Sequence, residues 1–536
     1  MKSPEDMRAP EGVRAPEGAG APEGGRAAGA APPGAGGLAS LGLTVEGALA
    51  AAGIPAPAAL SGPAAGGPRP LTGVSTDTRT LRAGDVFVAL SGPSFDGADF
   101  AGEALARGAA AAVVPERSLA RLAGLGDAAL ARVAAVPDAL DALGALARHV
   151  RESSGVYLAA VTGSVGKTTV KEILRRIFAE GLGETLATEG NLNNRVGVPW
   201  TLFRLGKGTA AAVLELGASS FGEIGALART CLPDLALVTR VEGVHLEGFG
   251  DLAGVARAKG ELFRCLKEGA AAVVNLGDPR IRAMGEALAA GPSFRGRIFT
   301  FGPGGSGADL ELAGLRPLPG GGSRLSLRGS GPWGGTPWDG AEADCPLPGA
   351  HNAWNALAAL AAAAAAGVGP EAARRGLARA ELPAGRGALL RAGGLLVVDS
   401  SYNSSPAAAG AELARLAGLP GPRGALLGDM LELGEAGPAL HRETGRRAAA
   451  VLDYLALCGP LSRETLAGAL EAGLPPGRAR HFPDPLAAAD WALEESGGRG
   501  TLLVKGSHAT GVWKAARRLA PGGAPAGGAS PGGASP

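Results

Sequence analysis

The sequence predicts an α/β protein built on parallel sheets, and two series of apolar runs carry that prediction. Four runs between residues 155 and 383 are typical of buried parallel strands: YLAAVTG, AAAVLELGA, DLALVTR and AAAVVNLGD. Four further runs between residues 384 and 518 repeat the pattern: LLVVDSSYN, ALLGDMLE, YLALCGP and TLLVKGSH. Each run stops at polar residues that could do chemistry. We therefore predict a central domain with a mostly parallel sheet, followed by a second doubly wound α/β domain.

The first strand of the central region leads into a glycine loop and then a helix. The loop ends in Thr168 and Thr169, and the apolar residues after it recur at helical spacing: Val170, Ile173, Leu174, Ile177 and Phe178. Strand, glycine loop and helix in this order are the context of a phosphate-binding loop. The motif is a shortened G-x-x-G-K-T, because Val161 stands where the usual pattern has glycine. The alternative is a plain turn with a solvated lysine.

In the phosphate-binding interpretation, each part of the loop has a task. Four residues would close backbone amides on phosphate oxygens at the helix N-terminus: Gly163, Ser164, Val165 and Gly166. Lys167 would reach the terminal phosphates, and the hydroxyl of Thr168 or Thr169 would hold Mg²⁺. A nucleotide is therefore the expected ligand.

Composition narrows the class of protein. The 536 residues suffice for three to four domains. A net charge of +1 with 19% charged residues gives no positive electrostatic potential that would indicate binding to nucleic acid. The four cysteines lie far apart, which suggests a reducing compartment and no structural metal. There is no leader pattern, and the alanine-rich run at 356–366 is too short to span a bilayer. We expect a cytoplasmic protein without a membrane partner, and a monomer.

The ends of the chain differ from its middle. Residues 1–38 repeat Ala-Pro-Glu-Gly and residues 519–536 are rich in Gly, Ala, Pro and Ser, so both are predicted to be disordered tails. Between 39 and 154, β-like pieces such as DVFVALSG alternate with alanine-rich helical stretches, which predicts a first α/β domain. Within it, the segment STDTR at 75–79 could bind a phosphorylated or sugar-bearing ligand, or be a polar loop that caps its own turns.

Ligands of open α/β sheets bind at the carboxyl ends of the strands, which puts five residues on one rim: Lys167, Glu215, Thr239, His245 and Asn275. Glu215 ends its strand where phosphate-binding-loop enzymes keep the acid that holds Mg²⁺. His245 could complete that coordination, or be a hydrogen-bonded structural residue, since Mg²⁺ prefers oxygen ligands.

Other polar residues have two interpretations each. Asn191, Asn193 and Asn194 could form a turn or contact substrate. Lys259, taken alone, is an exposed helical lysine. The segment at 351–355, HNAWN, opens an alanine-rich helix, where Asn352 could cap the helix or the paired amides could hold a base or phosphate.

The region after the central domain adds a cation and a polar strand end. Arg386 precedes the segment Asp399 to Asn403, DSSYN, at a predicted domain junction. An arginine at that junction could reach phosphates in the central domain if the two domains close on each other.

Together these segments resemble the Mur ligase family, over residues 70 to 507. The resemblance is carried by STDTR, FDGADF, TGSVGKTTVKE, EGNLNNRVGVP, ELGASSFGEI, HLEGFG, AKGELF, GAHNAWNALAA, DSSYNSSP, LGDMLELGE and KGS. The short phosphate loop and HN-x-x-N are common to the family. GNLNN, SYNSSP and GDMLELGE are similar to the members that join D-alanyl-D-alanine to UDP-N-acetylmuramoyl-tripeptide (UDP-MurNAc-tripeptide).

The resemblance implies three domains and an ATP-dependent amide ligase with Mg²⁺. They are an N-terminal domain (39–154) for the UDP-sugar peptide, a central ATPase (155–383) and a C-terminal Rossmann-like domain (384–518) for the dipeptide. The expected substrates are UDP-MurNAc-tripeptide and D-alanyl-D-alanine. The rivals are another Mur-type ligase, a folylpolyglutamate-type ligase and, from another class, a kinase or nucleotide-binding module.

The resemblance also implies residue roles. The UDP end would be held by Ser75, Thr76, Asp77 and Arg79, and substrate by Asn191, Asn193, Asn194, Tyr402 and Asn403. ATP would contact residues 163–169 together with Asn352, Asn355, Arg386 and Asp399. Metal ligands would be Thr168, Glu215, His245 and Lys259, the last as a carbamate that turns a cation into an oxygen ligand. The catalytic residues would be Lys167, Lys259 and Arg386.

Some positions depart from the family pattern. Arg240 stands where relatives often have asparagine, Gly277 replaces an acid, and His508 follows KGS where arginine is usual. Ser219 and Ser220 stand where many relatives have Asn-His.

Overall fold

The computed structural model describes residues 37–61, 67–92, 95–244, 246–292, 294–319 and 321–521. Most of the two predicted tails, 1–38 and 519–536, lies outside these residues. At their inner edges Leu38 and Leu519 are buried, in a 3₁₀ turn at Leu38–Leu41 and in the last helix. The chain divides into two compact units, residues 1–143 and 144–536.

The first unit contains a small parallel sheet covered by short helices. Its strands are β1 (Val74–Ser75), β2 (Val86–Val88), β3 (Ser91–Gly92), β4 (Phe95–Asp96), β5 (Ala111–Pro115) and β6 (Val133–Val136). Its helices are α1 (Val45–Ala51), α2 (Ala101–Ala106) and α3 (Asp127–Leu130), followed by α4 (Ala139–Ser154), which extends past the unit's end. The sheet has the order β1-β2-β5-β6, and β3 pairs with β4 as a hairpin. Phe87, Val114 and Leu122 anchor its core.

The second unit begins with a large sheet. Its strands are β7 (Tyr157–Thr162), β8 (Thr185–Ala187), β9 (Ala211–Glu215), β10 (Leu235–Val238), β11 (Ala271–Asn275), β12 (Arg297–Pro303), β13 (Leu310–Pro317), β14 (Ser323–Gly329) and β15 (Glu342–Cys345). The order is β15-β14-β13-β12-β11-β10-β7-β9-β8. The pairs from β8 to β13 are parallel, and β14 and β15 add antiparallel strands at one edge.

Nine helices of the described chain accompany this sheet: α5 (Lys167–Gly181), α6 (Gly197–Leu202), α7 (Glu223–Cys231), α8 (Leu246–Phe249), α9 (Leu252–Lys259), α10 (Glu261–Arg264), α11 (Pro279–Ala290), α12 (Ala350–Ala365) and α13 (Pro370–Ala378). The five apolar residues predicted to form one face of α5 are all buried. They share a core with the sheet and with the alanine-rich α12. Burying each such large side chain stabilises the fold by about 1.5–3 kcal/mol, so this face fixes α5, and with it the loop at its start.

A second sheet follows in the same unit. Its strands are β16 (Ala388–Ala392), β17 (Gly394–Ser400), β18 (Arg423–Gly428), β19 (Tyr454–Cys458), β20 (Ala479–Phe482) and β21 (Arg499–Lys505). Its helices are α14 (Pro406–Leu416), α15 (Gly437–Ala449), α16 (Ser462–Glu471), α17 (Pro485–Ser496) and α18 (Val512–Leu519). The order is β16-β17-β21-β18-β19-β20, parallel except for β16.

Helices cover both faces of the second sheet. Side chains of α14, α15 and α16 pack on one face, where Val398 and Leu427 point. Side chains of α17 and α18 pack on the other, where Val397 and Leu426 point. The predicted α/β class, with a mostly parallel central sheet and a doubly wound C-terminal sheet, is confirmed. Among the described helices, none has both the length and the apolar character needed to cross a bilayer.

Candidate active site

A cavity of about 1520 Å³ opens between the two sheets of the second unit. It is lined by the phosphate-loop region, by the strand ends of the central sheet and by loops of the C-terminal sheet. Fourteen of the predicted site residues line it: Ser164, Val165, Gly166, Lys167, Thr169, Asn191, Asn193, Asn194, Glu215, Asn352, Asn355, Arg386, Tyr402 and Asn403. Residues far apart in sequence are therefore gathered around one space.

Two glycines of the loop have no room for a side chain. Gly163 has φ +145°, and a Cβ there would lie 2.1 Å from the Thr239 hydroxyl. Gly166 has φ +84°, and a Cβ there would lie 2.5 Å from the Asn355 side-chain oxygen. Any other residue would strain the backbone and displace these neighbours. The loop therefore packs tightly against β10 and α12.

We expect Gly166→Ala to weaken ATP binding by roughly 10-fold or more and to lower the free energy of unfolding by about 1–2 kcal/mol. The added methyl group would strain the loop and push Asn355 away. ATP titration and chemical denaturation measure the two effects. Gly155→Ala is the matched control, because Gly155 also has positive φ, +65°, but has no atom within 4 Å of the added methyl. If both variants bind ATP equally weakly, packing at Gly166 is not the cause.

Lys167 lies at the first position of α5 and folds back over its own loop. Its ammonium donates hydrogen bonds to the carbonyls of Gly163 (2.8 Å) and Ser164 (3.3 Å). Removal from water lowers the pKa of this ammonium, an effect that Glu215 opposes. The free amides of the first helical turn point into the same loop. The arrangement presents a cation and helix N–H groups to an anion.

Glu215, at the end of β9, is buried and held from several sides. Its carboxylate accepts hydrogen bonds from the Thr168 hydroxyl (2.7 Å) and the Asn193 side-chain amide (2.9 Å). Its backbone N–H donates to the Thr188 hydroxyl (2.9 Å). Thr168 and Glu215 thus place hydroxyl and carboxylate oxygens side by side, the donor type that Mg²⁺ prefers.

Lys171 holds Thr188, which in turn holds the Glu215 backbone, and it was not identified from the sequence. It is fully buried and donates to the carbonyl of Thr188, the residue whose hydroxyl receives the Glu215 amide. It also pairs with Glu172 at 2.6 Å. Its helical position on the buried side of α5, among apolar neighbours, is the signal that could have identified it.

Strands β10 and β11 brace the other side of the loop. The Thr239 hydroxyl donates to the carbonyls of Val165 (2.6 Å) and Thr162 (3.2 Å). The Ser164 hydroxyl donates to the Glu242 carbonyl (2.8 Å). Asn275 donates to the Thr239 carbonyl (3.1 Å). Four of the five residues predicted on one rim, all but His245, therefore line the same cavity.

The asparagines of α12 are oriented toward the loop. Asn355 donates to the Asn352 side-chain oxygen (3.0 Å), and Asn352 donates to the Pro348 carbonyl (2.8 Å). Helix α12 begins at Ala350 with Gly349 as its N-cap, so the interpretation of Asn352 as the cap is wrong. Asn352 lies in the first turn of α12 and Asn355 in the second, where the Asn355 side chain lies beside Gly166.

Lys259 is the last residue of α9 and is only 1% exposed, so the interpretation as an exposed helical lysine is wrong. Its ammonium lies 5.5 Å from the centre of the Phe249 ring. Burial, with a smaller contribution from Lys167, lowers its pKa to about 7, against the opposing effect of Glu223, Glu261 and Glu215. A lowered pKa favours the neutral amine, which is the nucleophilic form of lysine.

The C-terminal region contributes a stack of planar groups to the cavity. The Arg386 guanidinium lies 4.2 Å from the centre of the Tyr402 ring, which is 5.7 Å from His508. His508 stacks on Trp513 at 6.0 Å. Asp399 is held locally, accepting a hydrogen bond from the Ser401 hydroxyl (2.6 Å). Arg386 lines the same cavity as Lys167 and, through charge repulsion, contributes to lowering the pKa of Lys167.

The three asparagines after β8 have different surroundings. Asn193 holds Glu215, whereas the Asn194 side-chain oxygen caps the start of α6 by accepting from the amides of Val196 (3.1 Å) and Gly197 (2.8 Å). Asn191 is exposed on the cavity wall. The turn and ligand-contact interpretations are therefore compatible.

The structure describes three of the four predicted metal ligands, Thr168, Glu215 and Lys259. His245 lies outside the described residues. Within the described ranges, no group of three or more His, Cys, Asp or Glu residues is arranged to hold a metal ion. The oxygen pair at Thr168 and Glu215 would need further oxygens from a ligand or from a modified Lys259.

In the first unit, the segment 75–79 caps its own turn. The Ser75 hydroxyl donates to the Asp77 carbonyl (2.9 Å), and the Asp77 carboxylate accepts from Arg79 in a salt bridge of 2.6 Å. This pairing lowers the pKa of Asp77. The Arg79 side chain is 82% exposed, and Thr76 is half-buried. Binding of UDP by these residues stays a prediction.

The departures from the family pattern are accommodated locally. Arg240 uses its backbone carbonyl to accept from the Ser164 amide (2.7 Å), while its exposed side chain pairs with Glu242. The Gly277 amide donates to Asn275 (2.9 Å). The backbone amides of Ser219 (2.7 Å) and Ser220 (3.1 Å) donate to Glu223.

A buried lysine in the C-terminal sheet was also missed. Lys505, at the end of β21, is 5% exposed, lines the cavity and donates to the Asn403 carbonyl (2.9 Å). Its place directly after the apolar run TLLV was the available signal, because such strand ends face ligands.

Three family profiles match the chain. They are described as Mur ligase family, catalytic domain (residues 70–151), Mur ligase middle domain (161–363) and Mur ligase, glutamate ligase domain (385–508). Their order along the chain follows the three predicted domains.

Curated relatives and solved structures agree with these profiles. The chain is 36% identical over 457 residues to the UDP-N-acetylmuramoyl-tripeptide--D-alanyl-D-alanine ligase of Escherichia coli, covering 84% of this chain and 94% of the relative. It is 32% identical to the enzyme of that name from Synechocystis, covering 84% and 92%. Among structures, MurF from Acinetobacter baumannii has a TM-score of 0.75 at 30% identity, covering 89% and 98%. MurF from Thermotoga maritima in complex with ADP has a TM-score of 0.70 at 28% identity, covering 83% and 96%.

Proposed function

The chain belongs to the Mur ligase family, and on that premise we propose that it joins D-alanyl-D-alanine to UDP-MurNAc-tripeptide with ATP. The products are UDP-MurNAc-pentapeptide, ADP and phosphate, in peptidoglycan synthesis. One observation carries the proposal: a phosphate loop, a buried carboxylate and an arginine just before the second sheet line one cavity, and the relatives of the chain are ligases of this name.

The reaction must activate a carboxylate before an amine can attack it. A carboxylate oxygen of the tripeptide attacks the γ-phosphorus of ATP, the bond to ADP breaks, and an acyl phosphate forms. The dipeptide amine then attacks the acyl carbon, and phosphate leaves from the tetrahedral intermediate while the nitrogen loses a proton. Both steps need negative charge stabilised where it develops.

The first step would use the loop and two cations. The backbone amides of residues 163–169 cradle the ATP phosphates at the start of α5. Lys167 exchanges its contacts with the Gly163 and Ser164 carbonyls for the terminal phosphate. Arg386 approaches from the C-terminal side. Asn352, Asn355 and Asp399 complete the nucleotide contacts in this proposal.

The donor set near the loop fits Mg²⁺. Thr168 and Glu215 would hold it, because their oxygens are adjacent and buried, with Asn193 orienting the carboxylate and Thr188 holding the Glu215 backbone. His245 is a further proposed ligand. When bound, Mg²⁺ neutralises phosphate charge. The protein's own contribution is to hold the Glu215 carboxylate in one position and to exclude water from it.

Lys259 would serve as an oxygen ligand for a second Mg²⁺ after reacting with carbon dioxide. The lowered pKa makes its neutral amine available for that reaction. The new carbamate would replace a buried cation by an anion beside Lys167, which removes the repulsion between the two lysines.

The remaining assignments concern the substrate-binding residues, the domain limits, the oligomeric state and the cellular location. We assign the UDP end to Ser75, Thr76, Asp77 and Arg79, and the tripeptide and dipeptide to Asn191, Asn193, Asn194, Tyr402 and Asn403. The domain limits 39–154, 155–383 and 384–518, a monomeric state and a cytoplasmic location belong to the same proposal.

A phosphate-release panel tests the function. Purified protein is incubated with ATP, MgCl₂ and UDP-MurNAc-tripeptide, and with D-alanyl-D-alanine, single amino acids or no amine. We expect one phosphate per amide, and only with D-alanyl-D-alanine. Turnover with a single amino acid would favour another ligase of the family. Phosphate transfer without any amine would favour a kinase.

A further inference from the structure

Lys505 is a buried cation in the C-terminal sheet that the activation step does not use. It is 5% exposed, yet it lines the cavity. Its ammonium carries three N–H donors, and the structure gives it the Asn403 carbonyl as an acceptor at 2.9 Å. A buried ammonium is costly unless an anion or several acceptors hold it.

The position of Lys505 in the fold is that of a ligand site. Strand β21 lies between β17 and β18, and Lys505 pairs in register with Ser400 at the end of β17. The chain leaves β17 toward α14 on one face of the sheet and leaves β21 toward α18 on the other. Neighbouring strands whose connections diverge in this way open a crevice at their carboxyl ends, where α/β sheets bind ligands.

The charges around Lys505 leave room for an anion. Glu412 interacts with it, but the Glu412 carboxylate is already engaged by the Ser400 hydroxyl (2.7 Å) and by Arg415 (3.3 Å). Arg386 adds a second positive charge. Burial, the larger cause, and Arg386 lower the pKa of Lys505 to about 8. One carboxylate that already has two partners and one guanidinium therefore surround the Lys505 ammonium, and neither occupies it fully.

The incoming dipeptide has one group that could bind this ammonium, its terminal carboxylate. Its amine must reach the acyl carbon beside the phosphate loop, so its carboxylate, at the other end of the molecule, points away from the loop. We propose that Lys505 holds that terminal carboxylate, and so selects an amine substrate that ends in a free acid. This inference rests on the proposed ligase function and adds the residue that recognises the second substrate.

The test compares two amine substrates and three proteins. The substrates are D-alanyl-D-alanine and its C-terminal amide, which has the same shape without the charge. The proteins are the wild type, Lys505→Met and Lys514→Met, each full length with ATP, MgCl₂ and UDP-MurNAc-tripeptide. Lys514 is an exposed lysine of α18 that does not line the cavity, so its variant controls for charge alone.

We expect the wild type and Lys514→Met to prefer the acid over the amide by roughly 10- to 100-fold in kcat/KM, the value of a charge-assisted hydrogen bond. In Lys505→Met this preference should fall to within about 3-fold, through a higher KM for the acid, while the KM values for ATP and UDP-MurNAc-tripeptide stay unchanged. Lys505→Gln, which is one atom shorter but keeps an uncharged N–H donor, gives the same comparison where Lys505→Met does not fold.

Three results would overturn the inference: a wild type that uses acid and amide equally, a Lys505 variant that keeps the full preference, or a variant whose KM rises for ATP instead. Failure of the ligase proposal is a different result, because the wild type would then form no amide with D-alanyl-D-alanine at all.

Discussion

Lys167→Ala is expected to abolish ATP-dependent ligation, with a loss of roughly 10³-fold or more in kcat/KM, while the protein stays folded. Lys167 is the cation at the start of α5, and its contacts in this structure are carbonyls of its own loop. Those contacts hold no neighbouring element together, so their loss should cost little stability. Initial rates of phosphate release and a thermal melt measure the two effects.

Lys514→Ala is the matched control for this variant, because it removes the same charge from an exposed helix outside the cavity. It should keep full activity. A folded Lys167→Ala protein with ordinary activity would remove the phosphate loop from the mechanism.

Lys259→Ala is the second large effect, with an expected loss of roughly 10²-fold or more in kcat. Lys259 is fully buried, and its carbamate would supply oxygens for a metal ion. Truncation to alanine leaves a space that a small carboxylic acid can enter, and the acid brings the missing oxygens. Formate or acetate should therefore restore part of the activity, measured as phosphate release against acid concentration.

Lys167→Ala is the control for this rescue, since an anion cannot replace a cation on phosphate. Acids should leave it inactive. Full activity of Lys259→Ala without any acid would return Lys259 to a structural role, and rescue of both variants alike would mean that the acids act elsewhere.

The sequence was sufficient for the fold class because the strands are unusually apolar. The run AAVLE forms β9 and the run AAVVN forms β11, each fully buried and each ending at a polar residue. A strand with helices on both faces has no polar side, so its composition alone identifies it. The helical face of α5 was equally clear, since its five apolar residues follow one period.

Buried contacts between separate elements could not be predicted in the same way. Nothing in the sequence around Lys171 indicates that its ammonium meets the Thr188 carbonyl, or that Thr188 in turn receives the Glu215 amide. Such chains depend on how a helix and two strands pack, which the local pattern does not encode. Lys259 shows the same limit, because a lysine at the end of a short helix is ordinarily exposed, whereas this one is buried with its ammonium 5.5 Å from the centre of the Phe249 ring.

The asparagine at the start of α12 illustrates a local ambiguity. A cap and a ligand contact both favour asparagine near a helix start, so the sequence allowed either. The structure rules out the cap, because Gly349 takes that position, and it places Asn355 beside Gly166 of the phosphate loop; contact with a ligand stays a prediction.

The central claim is that ATP phosphates on the loop after β7 activate a carboxylate of the bound peptide. It is tested most directly by following oxygen. UDP-MurNAc-tripeptide labelled with ¹⁸O in its terminal carboxylate is incubated with the protein, ATP, MgCl₂ and D-alanyl-D-alanine, and the released phosphate is analysed by mass spectrometry. An acyl phosphate predicts one ¹⁸O atom in the phosphate for each amide formed; unlabelled phosphate, or phosphate without amide, would contradict the account.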